Sequence, residues 1–197
     1  MKNLKGYGGV LLGMGLSLGL LHGPTWAQTF VEPDCSKEFD YQTRQATTTK
    51  RTLTLPQFGI RLAIPADYRA LAMERGRVLI VDPGAYHTIK CQIPSGLFST
   101  SLERHANPKG MSLQQFAAEK TDPQSFYPRR LQSRSFNDLT VVLVDYPGPD
   151  GMNNSGYSSH AFFQVPGSTD VVELSVVCDC PTNQDDLVEH LNNLSLL

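Results

Sequence analysis

Apolar and polar residues alternate along Gly59-Ile60-Arg61-Leu62-Ala63-Ile64-Pro65, with Ile60, Leu62 and Ile64 on one side. Thr52-Leu53-Thr54-Leu55 alternates in the same way, and residues 77–81 form an almost continuous apolar run that Asp82-Pro83-Gly84 ends. Residues 88–93 alternate again and place Ile89, Cys91 and Ile93 on one face. A period of two predicts strands with one buried and one wet face.

The period then changes. Met111-Ser112-Leu113-Gln114-Gln115-Phe116 predicts a helix start, with Ser112 as cap, Gln115 reaching back, and Met111 and Phe116 as a hydrophobic staple. Leu113, Phe116 and Ala117 make its packed stripe, and Asp122-Pro123 ends it. Strand patterns return at residues 139–146, 160–165 and 171–178, separated by turn-rich residues 147–156 and 166–170. Thr182 and Asp185 have capping-box spacing ahead of a closing helix, whose stripe is Leu187, Val188, Leu191 and Leu194. Strands grouped between two helices predict an α+β fold, a mostly antiparallel sheet flanked by helices. Its core should contain Phe116, Val142, Val144, Phe163, Leu174, Val176, Leu187 and Leu191.

The beginning of the chain differs from the rest. Lys2 and Lys5 precede a charge-free apolar run over residues 10–21, then Pro24 and Thr25-Trp26-Ala27. This is the pattern of a secretory signal cleaved after Ala27. The competing reading is a retained anchor, but the run is shorter than the roughly 20 residues that a comfortable span needs. Residues 28–51 read as a polar N-terminal arm, and residues 52–197 as a single domain. The localisation expected is extracytoplasmic: periplasm, thylakoid lumen or extracellular space. Cleavage would leave 17 − 2 = 15 basic and 19 acidic residues, a formal charge of −4. That balance argues against nucleic acid and anionic membranes as partners. Arg129, Arg130 and Arg134 cluster locally and are expected as a solvated or ion-paired face.

The segment Phe58-Gly59-Ile60-Arg61-Leu62-Ala63-Ile64-Pro65-Ala66-Asp67-Tyr68 resembles the opening of the PsbP/Mog1 family, in which a glycine precedes a strand and then proline, small, polar and aromatic residues. The capped segment at residues 111–116 resembles that family's central helix, and the likeness extends over roughly residues 52–197. Tyr68 stands where tryptophan is more usual, and the cysteines lie outside the pattern. The resemblance implies an antiparallel sheet sandwiched by helices. It also implies a non-catalytic accessory role, binding another protein or a membrane complex such as a photosystem; the cleaved signal itself implies no stable membrane insertion afterwards.

Cys35, Cys91, Cys178 and Cys180 are the four cysteines, and an oxidising compartment converts such residues to disulfides. They allow three pairings. A bridge between Cys178 and Cys180 is strained and opposed by strand geometry. Each is therefore expected to bond Cys35 or Cys91 in a crossed arrangement. Two alternatives centre on Cys178 and Cys180: a thiol oxidoreductase, and a soft-metal site completed by His87, His105, His160 or His190. Asp179 disfavours a thiolate, and no second ligand doublet accompanies the pair.

No nucleophile elbow, zinc-protease or phosphate-loop motif occurs, so no catalytic residue and no cofactor is assigned. Asp145, Asp150, Asn153 and Asn154 miss calcium-loop spacing and read as turn residues. Asn153 and Asn193 head glycosylation-type tripeptides.

Overall fold

The computed structural model describes residues 32–39, 47–93, 99–121, 129–146, 158–177 and 184–197. The expected export signal lies outside them. Two antiparallel sheets and three α-helices make up the described fold. The smaller sheet has the order β1-β2-β10, from strands β1 (Lys50–Leu55), β2 (Ile60–Pro65) and β10 (Leu194–Leu196). The larger runs β3-β4-β5-β9-β8-β7-β6. Its strands are β3 (Arg69–Ala72), β4 (Val78–Val81), β5 (Ser99–His105), β6 (Arg130–Phe136), β7 (Leu139–Asp145), β8 (Ser158–Phe163) and β9 (Val171–Val177). The helices are α1 (Pro83–Lys90), α2 (Leu113–Lys120) and α3 (Gln184–Asn192).

The alternation of β2 is realised as read: Ile60, Leu62 and Ile64 are fully buried while Arg61 is exposed. Gly59 allows that strand to begin. Its φ is +70°, and a Cβ there would stand 2.9 Å from Val165 Cγ1. Only glycine meets both conditions without strain.

Register divides the larger sheet into two faces, because directly paired residues point the same way. Val78, Leu102, Leu174, Ala161 and Leu143 form one continuous row across β4, β5, β9, β8 and β7. This row packs into the main core with Ile60, Leu62 and Ile64 of the small sheet and with Leu187 and Leu191 of α3. On the opposite face Val142, Val144, Phe162 and Val171 pack beneath Phe116 and Ala117 of α2. All eight expected core residues are buried.

The helix start at Ser112 carries the full capping box: Ser112 accepts from the Gln115 amide, and Gln115 accepts from the Ser112 amide. Met111 and Phe116, the two staple residues, lie in the same apolar cluster.

Three expectations are corrected. Residues 88–93 are not a strand, since the chain is helical from Pro83 to Lys90. Asp82 caps this helix by accepting from the Ala85 amide at 2.6 Å, and Pro83 occupies its first turn, where a missing N–H costs nothing. Gly84, Ala85, His87 and Thr88 are buried at helical spacing, a stripe that lacks large apolar residues. Leu194 does not belong to the closing helix. That helix ends at Asn192, and Leu194 pairs with Leu62 as the third strand of the small sheet. Finally, Cys35 is bonded to Cys91. This excludes both crossed pairings, because the helical turn of α1 carries Cys91 to the segment at residues 32–39. Cys178 and Cys180 lie outside the described residues.

Candidate functional site: a carboxylate between two imidazoles

Among the described residues, helices cover the face of the larger sheet opposite the main core only in part. Helix α2 packs over β6, β7 and β8. At the other end Arg69 pairs with Val81, and its guanidinium lies 3.8 Å from the Tyr86 ring centroid, which places α1 over the β3–β4 end of this face. Between them runs a polar strip: Ser101, Glu103 and His105 from β5, Glu173 and Ser175 from β9, and His160 from β8. Register fixes the side. Glu173 pairs with Phe162 and Glu103, His105 pairs with Val171, and Phe162 and Val171 both pack under α2.

The centre of the strip is Glu173. His105 Nε2 and its carboxylate Oε2 are 2.7 Å apart, as are His160 Nδ1 and Oε1. Both rings must donate here, because a carboxylate only accepts. His160 is therefore protonated on Nδ1 and His105 on Nε2. Side-chain exposure is 10% for His105, 16% for Glu173 and 20% for His160, so the cluster is mostly desolvated yet reachable from solvent. Burial raises the Glu173 pKa, but the hydrogen bonds and charges of the two imidazoles outweigh it and bring the carboxyl down to about 2. Aromatic packing fixes the rings. His105 lies 6.1 Å from Phe116, and His160 stacks on Phe162 at 6.2 Å. Glu103 brings a second carboxylate to within 3.9 Å of His105 Nδ1. The arrangement is a preorganised carboxylate with two imidazoles held in place by the hydrogen bonds they donate to it.

Sequence reading named His105 and His160 as possible metal ligands and did not name Glu173. The tertiary fold joins those two histidines and sends the others elsewhere. His87 is buried on α1 beneath the segment at residues 32–39, with Nε2 3.5 Å from the Asp34 carbonyl. His190 lies on the opposite side of the sheet, 2.9 Å from the Thr100 hydroxyl, and burial lowers its pKa. Among the described residues no group of three or more His, Cys, Asp or Glu side chains could hold a metal ion.

The remaining polar candidates serve the fold. Asp145 is buried and bonded through both oxygens to Arg130, at 3.2 and 2.5 Å. Arg129 donates to the Ala118 and Thr121 carbonyls at the end of α2, and Arg134 donates to Gln132. Asn193 donates to the Glu189 carbonyl and accepts from Lys50. Asp150, Asn153 and Asn154 lie outside the described residues. No helix among the described residues is long and apolar enough to cross a membrane.

No protein-family model matches the chain. No curated protein matches it. Among solved structures, it is similar to the solution structure of cyanobacterial PsbP (CyanoP) from Synechocystis sp. PCC 6803. The TM-score is 0.45 and the identity 11%, over 82% of this chain and 99% of that one. That neighbour bears the name of the family that residues 58–68 resemble, and at this score and identity it assigns neither membership nor activity.

Proposed function

We propose that the chain is an exported, non-catalytic accessory domain that binds another protein on the extracytoplasmic side. A membrane complex such as a photosystem is the kind of assembly it would serve. The observation that carries this reading is the sheet face that the described helices cover only in part, where a polar strip lies between α1 and α2. Its carboxylates, Glu103 and Glu173, favour a partner segment bearing lysine or arginine. The Cys35–Cys91 bridge supports the compartment, since disulfides persist where the surroundings are oxidising.

Two measurements test it. N-terminal sequencing of the native protein should find Gln28 as the first residue, and a retained Met1 in the membrane fraction would replace the signal with an anchor. A photoreactive residue at position 101 should crosslink one protein in the native envelope. Glu103→Lys should abolish that adduct, and the same probe at Arg61, on the exposed side of β2, should give none. Equal labelling from both positions would remove the strip as the docking surface.

A further inference from the structure

The Cys35–Cys91 bridge joins two surfaces of opposite charge. Residues 32–39 carry three acids, Glu32, Asp34 and Glu38, against Lys37, so their formal charge is 1 − 3 = −2. Beneath them lie Arg69 on β3 and Tyr86, His87 and Lys90 on α1. Glu32 reaches all but His87: Arg69 Nη1 at 3.5 Å, Lys90 Nζ at 3.7 Å and the Tyr86 hydroxyl at 3.3 Å. Phe39 lies against the His87 ring at 5.8 Å, and the Asp34 carbonyl is 3.5 Å from its Nε2. His87 is buried at 5% exposure, and its Nδ1 has no hydrogen-bond partner. The arm thus sits on a basic and aromatic patch as an acidic ligand would.

Among the described residues, the ion pairs that Glu32 makes with the patch lie at the surface. Glu32 is mostly exposed, and exposed ion pairs contribute about 0–1 kcal/mol each. Residue Cys35 is exposed, while Cys91 is half-buried at the end of α1.

We propose that Cys35–Cys91 is a redox latch, and that opening it releases the arm and lets the Arg69–Tyr86–His87–Lys90 patch bind an acidic peptide segment of another protein. The reductant is an external dithiol. Its thiolate attacks Cys35 Sγ, the sulfur–sulfur bond breaks, and Cys91 leaves as a thiolate that takes up a proton. The second thiol of the reductant then resolves the mixed disulfide. The dithiol is oxidised by two electrons and the protein gains two thiols. This surface is separate from the strip around Glu173.

The test compares the oxidised protein with Cys35→Ser/Cys91→Ser, a form that is open whatever the state of Cys178 and Cys180. The probe is a synthetic peptide of residues 31–39 with serine at position 35. It should bind the open form at least about tenfold tighter than the oxidised wild type, a difference of about 1.4 kcal/mol. Arg69→Glu in the open form should abolish binding, and a peptide with lysine at positions 32, 34 and 38 should not bind. His87 should become reactive toward a histidine-selective acylating reagent on opening, while the β7–β9 amides stay protected from hydrogen exchange. Equal affinity for both forms, no binding to the open form, or an unreactive His87 would each overturn the latch. So would a double variant that fails to fold, because the bridge would then be a structural staple.

Discussion

At the scale of single residues, Glu173 makes the sharpest prediction. Its pKa in the folded chain is about 2 against an ordinary value of 4.5. A lowered carboxyl pKa stabilises the fold above the unfolded value, and that contribution is lost as pH falls through the window from about 4.5 to about 2. The gap corresponds to about 3 kcal/mol. Glu173→Gln should therefore be less stable than wild type at pH 7 by roughly that amount, and the difference should vanish by about pH 2. Urea midpoints across the window measure it. A gap that is the same at pH 7 and pH 3 would mean that the two histidines do not hold the carboxylate as charge partners. Glu173 was hidden in the sequence because its neighbours, Val172 and Leu174, mark it only as a polar position on a strand. Its partners come from 13 and 68 residues away, and register alone brings them together.

At the scale of elements, legibility followed apolar content. Strands β2, β7 and β9 bury large residues at every second position or nearly all positions, and their patterns are plain. Strand β6 is an edge strand, Arg-Leu-Gln-Ser-Arg-Ser-Phe, with almost no buried side chain to mark it. Its hairpin turn, Asn137-Asp138, has both φ values positive, as a two-residue turn of this hand requires. Strand β5 shows one apolar residue, Leu102, among polar ones because its other face carries the strip. Helix α1 carries no helical signal of large apolar residues, because its buried stripe is glycine, alanine, histidine and threonine. Helix α3 follows the spacing of Leu187, Val188 and Leu191, although Leu194 falls outside it, and Leu191 is its test. The side chain is 1% exposed in the main core, so Leu191→Ala should cost about 2–5 kcal/mol in urea denaturation. A loss near zero would mean that α3 does not dock on the sheet.

At the scale of the whole molecule, the amino-acid order by itself determined the fold class, the eight core residues named from it and the stripes of α2 and α3 as far as Leu191. Each follows from local periodicity, and burial of an apolar stripe dominates the energetics of any segment that has one. The capping box at Ser112 was equally legible, because its donors and acceptors lie within three residues. Tertiary structure alone decided the rest. It split off a second sheet by pairing Leu194 with Leu62, against the helical spacing of Leu194. It chose Cys35 as the partner of Cys91, although three pairings were open, because α1 delivers that sulfur to the arm. It also set His105, Glu173 and His160 side by side. These are contacts between residues far apart in the chain, and no local pattern encodes a distant partner when the residues involved are polar and carry no period of their own.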